Sequence, residues 1–144
     1  MDKIDSVLLG LLRKDGRQSY KDLGAAVKLS ANAAAERVRR LFASGAIRAI
    51  RADISPAALG RPLEAQIDVK LRPDTTAASF EMALRGLPQV VDAMLMTGSF
   101  DYGVRVACID QDDLVKITET LREKAGVQET YSRLILRKIA FDMR

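Results

Sequence analysis

Apolar residues recur with helical spacing at the beginning of the chain. Ile4, Val7, Leu8, Leu11 and Leu12 follow an i, i+3, i+4, i+7, i+8 pattern. This pattern predicts an amphipathic helix that ends at the Lys-Asp-Gly sequence 14–16 and packs through its apolar face.

A shorter helical pattern follows. Ser19 is a suitable N-cap for a helix whose apolar side carries Tyr20, Leu23 and Val27 at i, i+3 and i+7. The dipeptide 28–29 then forms the corner before a further helix.

The third helix has an apolar side and a basic side. Ser30 is its expected N-cap and Gly45 its expected stop, since glycine readily adopts the left-handed conformation found where helices end. The inward positions are Ala34, Val38, Leu41 and Phe42. The outward positions are Asn32, Ala33, Glu36, Arg39 and Arg40, with Arg37 at the border. Three helices with an exposed basic third helix match the geometry of a helix-turn-helix motif.

A basic amphipathic helix by itself does not establish DNA binding, because most charged surface helices are only solvated. The combination of three helices, a tight corner and outward side chains that can hydrogen-bond bases or phosphates favours a DNA-binding unit. Base edges are normally read near the start of the third helix, and surrounding arginines suit phosphates. The residues expected at base edges are Ser30, Asn32, Ala33 and Glu36, with Arg40 reaching bases or backbone. Those expected at phosphates are Arg37, Arg39, Arg48 and Arg51.

The periodicity changes after the third helix. Residues 47–54 read IRAIRADI, a β-favouring run that predicts the wing and linker of a winged helix-turn-helix domain, and Pro56, Gly60 and Pro62 then interrupt it. The expected organisation is a helix-turn-helix domain over 1–50, a β-linker or hinge over 51–62, and a further domain over 63–144.

The second half of the chain predicts a small α+β domain. Residues 63–72 alternate apolar and polar side chains without interruption, which is typical of a half-buried strand. Further strands are expected at 90–97, 102–109 and 127–136, with helices after 73–75 and after Asp110. The order βαββαβ is ferredoxin-like, with helices over one face of an antiparallel sheet. The uncovered face predicts self-association through the sheet.

Composition and charge narrow the class of protein. Hydrophobic residues make up 48% of the 144 residues, and no apolar run approaches the roughly 18 residues that span a bilayer. The chain begins with an amphipathic helix instead of a signal peptide's uninterrupted apolar core, so a cytoplasmic protein is expected. One cysteine excludes an internal disulfide, which fits a reducing compartment. Residues 1–62 carry 12 Lys and Arg against 6 Asp and Glu, whereas 63–144 carry 11 against 13. The basic charge therefore lies in the half that DNA binding requires, although it would also suit RNA or an acidic membrane surface.

Several segments together resemble the Lrp/AsnC family of bacterial and archaeal transcriptional regulators, also called feast/famine regulators. The matching segments are DKID at 2–5, DGRQS at 15–19, LS at 29–30, RVRRL at 37–41, GAI at 45–47, TGSFDY at 97–102 and GVQET at 126–130. The resemblance implies an N-terminal DNA-binding domain, a ligand-binding βαββαβ domain and dimers that often assemble into octamers. It also implies control by an amino acid or a related small molecule.

The resemblance further implies an effector site at the turn between the second and third strands, with contributions from the last strand across a subunit boundary. The turn residues are Thr97, Gly98, Ser99, Phe100, Asp101 and Tyr102, and those of the last strand are Gln128, Thr130 and Ser132. Glycine allows a backbone conformation that exposes N–H groups to a carboxylate, and Asp101 can accept from an ammonium group. Gly, Ser and Asp are also the ordinary residues of a β-turn.

An enzyme is the main alternative. Siroheme decarboxylases resemble this family in fold and use histidines to act on a tetrapyrrole, but this chain contains no histidine. It therefore lacks the commonest general base near neutral pH and the commonest metal ligand. Cys108 shares a predicted strand face with Val104 and Val106, which favours a buried position over a nucleophile. No catalytic activity, metal or cofactor is expected; the other alternative is an oligomeric ligand-sensing module that does not bind DNA.

Overall fold

The structure is a computed structural model that describes residues 1–141. The helices are α1 (Lys3–Lys14), α2 (Tyr20–Val27), α3 (Ala31–Ala43), α4 (Ala77–Arg85) and α5 (Gln111–Lys124), and a short 3-10 helix covers Pro56–Leu59. The strands are β1 (Leu63–Leu71), β2 (Val90–Leu95), β3 (Tyr102–Cys108) and β4 (Val127–Leu134). The chain forms two compact units, one of residues 1–53 with the last described residues, and one of residues 54–139.

Local hydrogen bonds define the starts of the first three helices. The Asp2 carboxylate accepts from the Asp5 N–H at 2.9 Å, and the Asp5 carboxylate accepts from the Asp2 N–H at 3.1 Å, which is a capping box. Ser19 and Ser30 accept from the backbone N–H three residues later and cap α2 and α3. The predicted helices and N-caps are confirmed.

The corner between α2 and α3 is a close backbone contact. Lys28 adopts a left-handed conformation with φ of 59°, and the Leu29 N–H donates to the Gly24 carbonyl at 2.8 Å. A Cβ on Gly24 would lie 2.6 Å from the Leu29 carbonyl oxygen. Gly24 therefore allows α2 to approach the corner, which lies at the predicted position.

The apolar sides of the three helices meet in one core, although Val7 and Tyr20, which were expected on those sides, are 48% and 45% exposed. Its buried members are Leu8, Leu23, Ala34, Val38 and Leu41. Phe42, which was expected to face inward, is 41% exposed, and Ala35 is buried instead. Phe42 lies in the last turn of α3 and is not among the residues packed against this core.

The expected wing and β-linker are not formed by the described residues. No strand is assigned between 46 and 62, and 48–55 have irregular structure before the 3-10 helix. The prediction of β structure for 47–54 is therefore wrong for the single chain. β-favouring side chains produce a strand only where a neighbouring strand supplies hydrogen-bonding partners, and no such neighbour is present in residues 1–141.

The second unit contains the predicted antiparallel sheet. Its strand order is β2-β3-β1-β4, so β2 and β4 form the edges. In the register of the central strands, Ile67 lies opposite Val104 on β3 and opposite Ser132 on β4. The ferredoxin-like α+β fold is confirmed, although β2 and β4 each end two residues earlier than predicted.

Helices α4 and α5 cover one face of the sheet. Phe80, Ile117 and Leu121 pack against the inward set of strand residues, which includes Ala65, Ile67, Val69, Val104, Val106 and Val127. Thr76 caps α4 by accepting from the Ser79 N–H, so this helix begins just after the predicted start at 73–75.

The opposite face, called here the bare sheet face, is mostly polar. It carries Gln66 and Asp68 of β1, which lie opposite Arg133 and Tyr131 of β4. An ion pair of 2.9 Å joins Arg133 to Asp68. The bare face expected from the topology is present, but its side chains form hydrogen bonds and ion pairs instead of an apolar patch.

None of the helices within residues 1–141 has the length and hydrophobicity needed to cross a membrane.

Candidate nucleic-acid interface and effector turn

Helix α3 exposes a polar surface that begins at a well-defined N-terminus. The Ser30 hydroxyl accepts from the Ala33 N–H at 3.1 Å, so it caps the helix. Asn32, Glu36, Arg39 and Arg40 are exposed, and Ala33 is half-buried. The structure thus brings together the residues predicted at base edges along one side of α3, opposite the buried core positions.

Glu36 and Arg39 form an ion pair on this surface. The separation between Nη2 of Arg39 and Oε2 of Glu36 is 3.1 Å, with side chains 65% and 58% exposed. An exposed pair of this kind contributes little to stability, because water and salt screen it. Glu36 can therefore exchange this contact for a base edge, and Arg39 can exchange it for a base or a phosphate.

Three other arginines are oriented towards solvent. Arg40 lies in the last turn of α3, and Arg48 and Arg51 lie in the segment after it; all three are exposed. None has an ion pair within residues 1–141. No carboxylate among the described residues neutralises their charge, so it is available to phosphates.

Arg37 differs from these arginines. Its Nη1 donates to Asp2 Oδ2 at 2.7 Å and to Asp5 Oδ1 at 3.0 Å, and its side chain is only 22% exposed. The Asp5 backbone N–H and the Arg37 guanidinium lower the pKa of Asp2 to about 2. Hydrogen bonds to Asp2 and Asp5 raise the pKa of Arg37. Arg37 therefore connects α3 to the capping box of α1.

This role of Asp2 and Asp5 was not predicted from the sequence. Their spacing ahead of the first apolar run is itself a capping signal that the sequence displays. Their contact with a residue on α3 is a tertiary feature that no local pattern indicates.

The predicted effector turn protrudes from the end of the sheet. Thr97, Gly98 and Ser99 are exposed, and Gly98 has φ of 110°, a conformation that favours glycine. No described atom lies within 4 Å of the position that a Cβ on Gly98 would occupy. The tip of the turn is therefore open to solvent.

Asp101 anchors this turn to β1. Its N–H donates to the Val69 carbonyl at 2.9 Å, and its Oδ2 accepts from the Leu71 N–H at 2.8 Å. The carboxylate expected to bind an ammonium group thus has one oxygen engaged by the backbone.

The structure brings the turn close to β4 within one chain. The rings of Phe100 and Tyr131 stack with centroids 6.3 Å apart, and Tyr131 was not among the predicted site residues. Thr130 accepts from Arg122 Nη2 at 3.0 Å, and Gln128 and Ser132 are exposed.

Tyr102 lies away from the open part of the turn. It is 3% exposed and its ring is 4.7 Å from that of Phe80 in the core. Its hydroxyl donates to Glu81 Oε2 at 2.8 Å. Burial, and then the hydrogen bond to Glu81, raise the pKa of Tyr102 to about 12. Tyr102 therefore points to the helix-covered side of the sheet.

Cys108 is buried in the core of the second unit, on the same side of β3 as Val104 and Val106, as predicted. Burial raises the pKa of its thiol to about 11, so the thiolate is scarce near neutral pH. Within residues 1–141, no group of three or more His, Cys, Asp or Glu is arranged to hold a metal ion.

Comparison with known proteins identifies both units. Residues 1–41 match the AsnC-type helix-turn-helix domain, and residues 64–144 match the Lrp/AsnC ligand binding domain. The chain is 35% identical over 138 residues to the HTH-type transcriptional regulator AldR of Mycobacterium tuberculosis, covering 94% of this chain and 77% of AldR. It is 32% identical over 143 residues to the leucine-responsive regulatory protein of Escherichia coli K12, covering 96% and 87%.

Solved structures show the same fold. A transcriptional regulator of Neisseria meningitidis in complex with L-methionine superimposes with a TM-score of 0.88 at 28% identity, covering 99% of this chain and 94% of that one. The leucine response regulatory protein of Mycobacterium tuberculosis superimposes with a TM-score of 0.87 at 27% identity, covering 100% and 98%.

Proposed function

The chain belongs to the Lrp/AsnC family and is a transcriptional regulator with a helix-turn-helix domain and a ligand-binding domain, and we propose that it acts as a homo-oligomer that binds specific DNA sequences under the control of an amino acid. The observation that carries the DNA-binding part is α3 itself. Its start is capped, its buried side contains Ala34, Val38 and Leu41, and its polar side is open to solvent. A helix of this form can lie in the major groove.

In this proposal the exposed positions of α3 divide between base and backbone contacts. Asn32, Glu36 and Arg40 read base edges together with Ser30 and Ala33 at the helix start. Arg39, Arg48 and Arg51 contact phosphates, which gives affinity and orientation. The bonds of Arg37 to Asp2 and Asp5 favour a positioning role for it instead of the phosphate contact expected from sequence.

The effector in this proposal is an amino acid bound at the turn 97–101. The methionine bound to the Neisseria regulator and the name of the leucine-responsive relative support this ligand class. Backbone N–H groups near Gly98 would bind the carboxylate, and Asp101 Oδ1 with Gln128 and Thr130 would bind the ammonium group. Tyr102 supports the turn from the core and does not contact the ligand.

Assembly and location complete the proposal. A second copy of the chain would cover the bare sheet face, with ion pairs such as Arg133–Asp68 placed at or beside the contact. The site of action in this proposal is the cytoplasm, where the bacterial relatives named above find their DNA. We assign the chain no catalytic role, since the relatives named above are regulators.

Genome-wide mapping of bound DNA with and without a panel of amino acids tests this proposal. We expect discrete binding sites that share a sequence motif, and a change in occupancy with one class of amino acid. Uniform low-level binding along the genome would contradict sequence-specific recognition. Discrete sites whose occupancy no amino acid alters would support sequence-specific DNA binding and exclude the proposed effector class.

A further inference from the structure

A cleft separates α4 from the edge strand β2, on the helix-covered side of the sheet. It has a volume of about 380 Å³. Its apolar lining includes Leu84 on α4 and Val90, Ala93 and Leu95 on β2, and Glu81 and Arg85 supply its charged groups. Leu95 is 71% exposed, so the strand side of the cleft presents apolar surface to water, which a bound apolar group would cover.

The two charged groups of the cleft have opposite signs and lie one helical turn apart. Residues four apart on a helix face the same side, with Cβ atoms roughly 5–6 Å from each other. The Tyr102 hydroxyl donates to Glu81 Oε2 at 2.8 Å, which holds this carboxylate at the cleft. Arg85 is exposed and has no ion pair within residues 1–141. A carboxylate and a guanidinium beside an apolar wall are complementary to a small zwitterion with an apolar substituent.

We propose that this cleft is a second ligand site, which binds an α-amino acid with an apolar side chain. Arg85 binds the ligand carboxylate and Glu81 binds its ammonium group, while the side chain packs against Leu84, Val90 and Leu95. The ligand class rests on the proposed function, but the site is distinct from the effector turn. Tyr102 marks the boundary, because its buried side forms part of the cleft whereas the turn projects from the end of the sheet.

Isothermal titration calorimetry on the full chain with L-leucine tests the site. We expect Arg85→Gln and Glu81→Gln each to weaken binding about 10- to 100-fold, as for a lost hydrogen bond to a charged group. Gln at position 81 can still accept from Tyr102. Ala93→Leu should abolish the binding event at the cleft by filling it, since position 93 is exposed on an edge strand and tolerates a larger side chain. Lys124→Gln, which removes an exposed cation on α5, is the matched control and should bind as the unaltered protein does.

Modified ligands assign the two charged contacts. Leucinamide lacks the carboxylate and should bind more weakly than leucine to the unaltered protein, but no more weakly to Arg85→Gln than leucine does. N-acetyl-leucine lacks the ammonium group and should behave in the same way towards Glu81→Gln. Equal losses in both variants with both ligands would contradict these assignments.

The turn variant Gly98→Val separates the two sites. We expect it to keep the Arg85-dependent binding event. Loss of all binding in Gly98→Val with no change in the three cleft variants would overturn the cleft and leave the proposed function standing. The absence of any binding of leucine, isoleucine, valine or methionine to the unaltered protein would overturn the cleft; the DNA-binding part of the proposed function is judged separately by the genome mapping.

Discussion

Nη1 of Arg37 lies 2.7 Å from Oδ2 of Asp2, and this bond joins helix α3 to the N-cap of α1. The same nitrogen lies 3.0 Å from Asp5 Oδ1. The orientation of α3 relative to α1 therefore depends on a residue that sequence reasoning assigned to the DNA backbone.

The salt dependence of DNA binding distinguishes an arginine that contacts phosphate, as proposed for Arg39, from one that positions α3, as proposed for Arg37. Each lost phosphate contact reduces the slope of log affinity against log salt by about 0.9. We expect Arg39→Gln to reduce the slope by about that amount. Arg37→Gln should weaken binding to the specific site while leaving the slope unchanged. Fluorescence anisotropy over a salt series measures both quantities; a reduced slope for Arg37→Gln would show that it contacts phosphate.

Acid titration of stability tests the Asp2 contacts. The pKa of Asp2 is lowered from 3.8 to about 2 in the folded chain. The stabilisation that the ionised Asp2 carboxylate contributes is therefore fully present above pH 3.8 and is lost as the pH falls towards 2. We expect the difference in melting temperature between the unaltered protein and Asp2→Asn to shrink over this range. A difference in melting temperature that stays constant from pH 6 to pH 2 would contradict the ion pair between Asp2 and Arg37.

Substitution of Gly24 tests the corner of the helix-turn-helix unit. Gly24→Ala would place a Cβ 2.6 Å from the Leu29 carbonyl oxygen, so we expect a loss of about 1–3 kcal/mol in the free energy of unfolding. Gly10→Ala in α1 is the matched control, because nothing in the described chain lies within 4 Å of its Cβ position. Alanine there should be neutral or stabilising by up to about 1 kcal/mol. Chemical denaturation of both variants separates the steric contact at the corner from the general effect of replacing a helical glycine by alanine.

Alkaline titration tests the environment of Tyr102. Its pKa is raised from 10.0 to about 12 in the fold, so its neutral form stabilises the second unit fully below pH 10 and this contribution is lost as the pH rises to about 12. We expect tyrosinate absorbance to show a transition near pH 12 that Tyr102→Phe lacks. A transition of the same amplitude in both proteins would show that Tyr102 titrates elsewhere.

Paired substitutions on the two sides of the sheet test assembly. Ile67 is fully buried on the helix-covered side, so Ile67→Asp should unfold the second unit by burying an unpaired charge, at a cost of several kcal/mol. Tyr131 is 57% exposed on the bare face, so Tyr131→Asp should keep the fold and dissociate the oligomer. Analytical ultracentrifugation with circular dichroism reports both outcomes. A folded monomer in the unaltered protein at micromolar concentration would contradict assembly.

Local sequence features determined where the helices and strands of this protein lie and which of their side chains are buried. Ser19, Ser30 and Asp110 cap their helices through hydrogen bonds that reach only three residues along the chain. The alternation in β1 placed Ala65, Ile67 and Val69 inside, because successive strand residues point to opposite faces. Periodicity and capping depend on near neighbours, so a sequence displays them directly, and the exposed polar surface of α3 followed from them.

Only the tertiary structure decided which partners these side chains meet. It paired Arg37 with Asp2, placed the Tyr102 hydroxyl against Glu81, and engaged one oxygen of Asp101 with the backbone of β1. It also left Phe42 exposed and 48–55 without a strand. These outcomes depend on residues far apart in the chain and on where neighbouring elements end, whereas periodicity specifies only the side of an element on which a residue lies.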